Sequence, residues 1–404
     1  MFITVSAYWD YKWETIECGI LSDANVTLCS RPTAIGGEKN DRQISWNSNM
    51  VMASMVPNVP FLLLNASFGH HFKTTPRLLL SLIFVILLFG VTCGVTKVNT
   101  DHWQDNFWTG TIISIVLINI SSAIFQGGLI GLPGKFPPQY MGIIFGGQAF
   151  GGIFASVTNV LVILLGVDPP NAAFFCFLVA VLFLGTALIC FIVATRSEFF
   201  QYYLDESKVP STEITNVEQR VLPWNVFKTI SVYGISVFLI FAVTLTCFPA
   251  ITVFAKSSSP SSEWGTKYFI PVCCSVLFNV GDWLGRFSAE MILWPKPGRF
   301  GMFFVLVLSL LRLAFIPLFM FCNIPDSIRH FTDGLGVFKH DIAYVVIMAL
   351  FSLSNGYLSC ICMMSAPQLC DGSEVQTATS MMVALLGLGF STGSLMSYPI
   401  KSLL

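Results

Sequence analysis

Charge is scarce in this chain. Of its 404 residues, 21 are Lys or Arg and 22 are Asp or Glu, 11% in all. A soluble globular chain carries about 25%, so there are too few charges here to solvate a soluble surface. The formal net charge is only −1, which leaves no electrostatic footprint for a nucleic-acid partner. Catalytic signatures are missing too. The sequence has no phosphate-binding Gly-rich loop, no His-Glu-x-x-His, no Gly-x-Ser-x-Gly and no dinucleotide fingerprint behind a strand. Its five histidines (His70, His71, His102, His330, His340) fall in expected loops or at helix ends. No enzyme, cofactor or metal site is expected. What is abundant is apolar: 54% of residues are hydrophobic and the mean hydropathy is +0.73. That composition excludes disorder and a small disulfide scaffold, and it points to a polytopic membrane protein.

The few charges sit between long charge-free runs at 43–69, 78–96, 106–134, 136–167, 169–195, 229–255, 342–370 and 375–400. Each is about as long as the roughly 20 residues that cross a bilayer as a helix. Two more apolar stretches carry internal charges: 268–291 holds Asp282, Arg286 and Glu290, and 300–323 holds Arg312. The sequence thus predicts an all-α protein with ten full transmembrane helices. A β-barrel is excluded, because barrel strands alternate polar and apolar over only about 10 residues. Met1 to Trp9 is apolar but too short to span, since nine helical residues rise about 14 Å. It lacks a basic start and a small-residue cleavage site, so it reads as the last turns of a membrane helix rather than a signal peptide.

Residues 10–46 form the longest polar segment before the midpoint and contain the sequon Asn25-Val26-Thr27. The other sequons, at Asn65 and Asn119, fall inside expected helices, so Asn25 is the credible glycosylation site and places this loop outside. Alternation then puts nine Lys or Arg in inside loops and nine in outside loops, so the positive-inside bias decides nothing. The mixed-charge segment 196–228 reads as a cytosolic linker between a bundle at 1–195 and a second at 229–404, a two-half layout common among secondary transporters. Ten of the 12 cysteines lie in or beside apolar spans and read as small buried hydrophobes. Cys18 and Cys29 share the outside loop, where a disulfide is permitted.

Helix 141–165 carries Gly142, Gly146, Gly147, Gly151, Gly152 and Ala155. Small residues spaced in fours predict a close helix–helix seam. The sharpest local feature is Phe278-Asn279-Val280-Gly281-Asp282-Trp283-Leu284-Gly285-Arg286. Asp282 and Arg286 are i,i+4 and share a helix face, with Asn279 three before and Glu290 four after. A charge at membrane depth costs about 2.5–3.5 kcal/mol on insertion scales, so these groups face an interior. Two readings coexist: a substrate contact, or a pair that locks the helices or closes a gate. A carboxylate beside a guanidinium offers acceptors and donors that match the vicinal hydroxyls of a sugar. The remaining intramembrane polar groups are amides: Asn119, Gln126, Gln148, Asn159 and Asn355. A glutamine pairs well with the donor–acceptor edge of a nucleobase, although most buried amides simply join helices. Arg312 is expected to be structural, pairing with Asp282 or with carbonyls.

These residues carry a resemblance. FNVGDWLGR (278–286), GGQAFGGIFASV (146–157), CFPAITV (247–253), RLAFIPL (312–318), SNGYL (354–358) and Lys267-Tyr268-Phe269-Ile270-Pro271 are similar to motifs of the equilibrative nucleoside transporters, and the likeness runs along the whole chain. The resemblance implies a major-facilitator-like two-bundle fold. It also implies downhill movement of nucleosides of the uridine and adenosine class, and of nucleobases, across the plasma membrane. It calls for no cofactor and no obligate protein partner. It implies ribose contacts at Asp282 and Arg286 with Asn279 beside them, and a base contact at Gln126. It implies pocket positions at Met55, Asn58, Phe248 and Ile3, a cavity-lining Pro249, and gate or structural roles for Arg312 and Glu290. Ser122 and Ile3 stand at positions tied to inhibitor sensitivity and imply weak inhibition by nitrobenzylthioinosine. The family's first helix opens with a Pro-Trp-Asn stretch that would precede Met1. The resemblance therefore implies a chain shortened within that helix, with a non-transporting isoform as one alternative. A proton-coupled symporter, with Glu290 at the inner rim, is the other.

Overall fold

The computed structural model describes residues 5–14, 17–21, 26–30, 41–58, 60–62, 64, 74–131, 139–204, 223–259, 261–325, 337–370 and 374–403. Ile3, Asn25 and most of the 196–228 linker lie outside these residues. The long apolar runs are helices, because a helix satisfies every backbone N–H and C=O internally where no water can. In chain order they are α1 (Ser6–Lys12), α2 (Asp41–Met55), α3 (Thr74–Val95), α4 (Gln104–Gly131), α5 (Gln139–Leu164), α6 (Pro169–Arg196) and α7 (Glu198–Leu204). The second set is α8 (Pro223–Cys247), α9 (Leu277–Met291), α10 (Arg299–Leu311), α11 (Phe315–Met320), α12 (Asp341–Ser365) and α13 (Glu374–Leu403). Among the described residues, β1 (Glu17–Leu21) pairs antiparallel with β2 (Val26–Ser30) in a register that sets Cys18 opposite Cys29.

Among the described residues, nine helices are long and apolar enough to cross a membrane. They match nine of the ten expected spans. The tenth expectation, 43–69, begins as α2, whose regular helix stops at Met55. The reason is local: Pro57 disfavours helical backbone at the residue before it. The stretch around Arg312 is broken in the same manner. A 3₁₀ turn at Arg312–Ala314 separates α10 from α11, ahead of Pro317, which has no N–H to donate. The span leading into α9 is wound as a π-helix from Trp264 to Tyr268 and again from Ile270 to Val276 before becoming α-helical. Such wide turns cluster at functional sites.

Packing is densest between α8 and α13 and between α9 and α12, followed by α3 with α4, α5 with α9 and α3 with α6. The two ends of the chain meet where α5 lies on α9, and where α13 lies on α2 and α4. Side chains such as Leu80, Leu87, Val91, Leu182 and Val193 are exposed, as a lipid-facing surface requires.

The polar loop expected at 10–46 is shorter than that, because α1 takes in Lys12 and α2 starts at Asp41. Lys12 is 4% exposed. Its Nζ donates to Val98 O at 3.0 Å and to Thr100 Oγ1 at 3.2 Å, and it sits 5.8 Å from the ring centres of both Tyr8 and Phe107. Beside it Trp9, Trp13, Trp46 and Trp108 form a continuous ring cluster, with centroid separations of 4.7–6.0 Å. Aromatic faces and two oxygens thus replace water around an ammonium that the sequence alone placed in solvent.

Candidate functional site

The site is built on the seam between α9 and α12. Gly281 and Gly285 are spaced i,i+4 on α9 and face the α12 backbone. A Cβ at Gly285 would lie 2.7 Å from Tyr357 N and 3.1 Å from Gly356 Cα. A Cβ at Gly356 would lie 2.8 Å from the Asp282 carbonyl carbon and 2.9 Å from Arg286 N. Only glycines allow two helices this close. The contact brings Asp282, on α9, within reach of Asn355, the neighbour of Gly356 on α12.

At this seam Asp282, Arg286, Arg312 and Asn355 are all buried. Asp282 is held at both oxygens. Arg286 Nε donates to Oδ2 at 3.0 Å and Asn355 Nδ2 donates to Oδ1 at 2.7 Å. The Thr244 hydroxyl, from α8, lies 2.6 Å from Asn355 Oδ1. Arg312 completes the network. Its Nη2 donates to Thr244 Oγ1 at 2.9 Å and to Asn355 Oδ1 at 3.3 Å, and its Nη1 donates to Phe351 O at 2.9 Å and to Ser354 Oγ. The rings of Phe351 and Phe315 lie 4.8 and 5.7 Å from its guanidinium carbon. Arg312 therefore binds a carbonyl. It reaches Asp282 through Asn355 rather than directly.

Arg286 also reaches α5, with Nη1 donating to Phe145 O at 3.4 Å. Asn279 does not join the Asp282 network. Its Nδ2 donates to Ser275 O at 2.8 Å, and its amide oxygen rests over Gly152 of α5. Glu290 reaches the same helix: a Cβ at Gly146 would lie 3.2 Å from its Oε1, an oxygen that is buried without a hydrogen-bond partner. The small-residue seam expected on α5 is real but narrower than its spacing suggested. Gly146 and Gly152 seat side chains of α9, whereas Gly147 and Gly151 have nothing within 4 Å, because the run of glycines covers more of the helix circumference than one neighbour can fill.

The other expected positions lie apart from this network. Phe248 stacks on Phe278 with centroids 4.1 Å apart, and Pro249 follows it through a cis peptide bond. Met55 O accepts from Ser391 Oγ of α13 at 3.0 Å. Asn58 is buried with Oδ1 unpartnered, and Gln126 Nε2 is likewise buried without a partner. Ser122 is half-buried on α4. Thr244, Ser354 and the glycine seam were not singled out from the sequence. The signal for the seam was present as Gly281-x-x-x-Gly285 inside the charged motif; nothing in the sequence marks Thr244.

A profile of the family described as nucleoside transporter matches residues 112–220 and 205–402. The chain is 34% identical over 436 residues to equilibrative nucleoside transporter 1 of Homo sapiens, covering all of this chain and 93% of that protein. The chain belongs to the nucleoside transporter family. It is also 31% identical to equilibrative nucleoside transporter 2 of Homo sapiens, covering 89% of this chain and 86% of that protein. Against equilibrative nucleoside transporter 3 of Rattus norvegicus it is 27% identical over 97% of this chain and 83% of that protein. The family's transport character accords with buried charges at membrane depth on a multi-pass scaffold.

Proposed function

We infer that the chain is a facilitative carrier of nucleosides, working by alternating access between two helix bundles at 1–195 and 229–404. One observation carries this reading: a carboxylate and a guanidinium, Asp282 and Arg286, are enclosed together in α9, while Arg286 also bonds the opposing helix α5. A charge pair so placed is costly unless it serves a ligand or a gate, and here it stands at the contact between the two ends of the chain. Asp282 and Arg286 supply acceptors and donors for ribose hydroxyls. Gln126 supplies the base contact, supported by its unpartnered buried Nε2, and Asn58 offers an unpartnered acceptor in the same half. Met55 and Phe248 line the route, and Asn279, Glu290 and Pro249 shape it. The major-facilitator-like arrangement, the tenth span at 43–69, glycosylation at Asn25 and residence in the plasma membrane belong to the same proposal.

The test is uptake of radiolabelled uridine and adenosine into transporter-null cells expressing the chain. Saturable uptake is expected from the wild type. Asp282→Asn and Arg286→Lys are expected to abolish it while the protein still reaches the surface. Full uptake by both variants would refute the ribose assignment.

A further inference from the structure

We propose that Arg312 and Asn355 form a positioning relay that fixes Asp282 as a pure hydrogen-bond acceptor toward the sugar hydroxyls of the substrate; this rests on the nucleoside reading above. Neither residue touches the ligand in this scheme. They act through the Asp282 carboxylate.

The chemistry of the donors leaves one arrangement. A guanidinium cannot accept and an ionised carboxylate cannot donate. The Asn355 amide stands between the two, so its oxygen must face Arg312 and its nitrogen must face Asp282. The distances agree: Arg312 Nη2 to Asn355 Oδ1 is 3.3 Å and Asn355 Nδ2 to Asp282 Oδ1 is 2.7 Å. The Thr244 hydroxyl lies 2.6 Å from the same oxygen and 2.7 Å from Ile240 O, so its one proton is shared between two acceptors; the orientation of the amide rests on Arg312 and Asp282. Asn355 thereby delivers the polarity of Arg312 to Asp282 as an N–H donor.

The consequence lies at Asp282. With Arg286 on one oxygen and Asn355 on the other, the carboxylate plane is pinned at two points from two helices. An ionised carboxylate has about four acceptor positions, so roughly two remain for ligand hydroxyls. The relay is anchored beyond the pair itself: Arg312 is 2% exposed, donates to Phe351 O and lies against the rings of Phe351 and Phe315. A group needed only to fill space in a lipid-embedded bundle would not be a guanidinium with four distinct acceptors.

The test separates positioning from folding by comparing two substrates. Uridine presents 2′- and 3′-hydroxyls; 2′,3′-dideoxyuridine presents neither and does not use the carboxylate. Both are measured as KM and Vmax in the whole 404-residue chain, with surface protein quantified. Asn355→Asp keeps an acceptor for Arg312 and Thr244 but sets a second carboxylate against Asp282, where like charges force a shared proton. Arg312→Met removes the charge at similar length. Both are expected to raise the uridine KM about tenfold, the effect of losing one charge-assisted hydrogen bond, and to leave the dideoxyuridine KM unchanged. Arg312→Lys should recover part of the uridine preference. An equal fall in Vmax for both substrates, with the KM ratio unchanged, would overturn the relay. If neither severe variant reaches the surface, the near-isosteric Thr244→Val decides: a narrowed uridine preference supports the relay and an unchanged one overturns it. Wild-type protein that carries neither substrate would remove the nucleoside reading and the relay with it. Wild-type preference for uridine that the variants leave intact removes the relay alone.

Discussion

Gly356→Ala tests whether α9 and α12 must meet backbone to backbone for the site to exist. The added Cβ would stand 2.8 Å from the Asp282 carbonyl carbon and 2.9 Å from Arg286 N, with Asp282 O nearer still. Ordinary contact begins at 3.4 Å, and backbone atoms cannot rotate aside. The helices must part by 0.6 Å to relieve the carbonyl carbon, the difference between 3.4 and 2.8, and by about 1.5 Å to restore ordinary contact with the nearer oxygen. Asn355 is the adjacent residue, and its bond to Asp282 is 2.7 Å. A retreat of that size carries it past the roughly 3.2 Å limit of a hydrogen bond. Losing a bond to a charged group costs about 1.5–3 kcal/mol, and overpacking adds about 1–3 kcal/mol. Since about 1.4 kcal/mol is a factor of ten, uridine uptake below saturation should fall at least tenfold. The assay is initial-rate uptake normalised to surface-biotinylated protein. Gly147→Ala serves as control, since nothing lies within 4 Å of that position, and it should transport normally. Wild-type uptake by Gly356→Ala would refute the close-packed seam as the basis of the site.

Three further outcomes follow from particular contacts. Gly152→Ala sets a methyl 2.9 Å from Asn279 Cγ and should slow transport; in a double-mutant cycle with Asn279→Ala the two effects should not add, and simple additivity would mean that the residues do not meet. Lys12→Met leaves Val98 O and Thr100 Oγ1 without their donor, so the detergent-solubilised protein should lose about 1–3 kcal/mol of stability, read as a lower Tm; an unchanged Tm would contradict the cluster. Ser122 is expected to confer weak inhibition by nitrobenzylthioinosine, and inhibition of uridine uptake at nanomolar concentration would overturn that expectation.

The sequence by itself determined the class. Charge-free runs of bilayer length leave no alternative to membrane helices, because an apolar surface that large has no stable place in water. It also determined that Asp282, Arg286, Glu290 and Arg312 would be exceptional, because insertion makes each of them expensive. What it left open was partnership. Spacing along one helix placed Asn279 beside Asp282, yet the fold sends Asn279 to α5 and gives Asp282 to Asn355, 73 residues further along the chain. Arg312 was expected to pair with Asp282 or with carbonyls, but its bond toward Asp282 runs through the Asn355 amide. Lys12 read as a solvated loop residue, and the fold buries it among aromatic rings. Periodicity reports only which face of a helix a residue occupies. Which neighbour meets that face depends on how closely two backbones can approach, and here the glycines of α9 and α12 settle it.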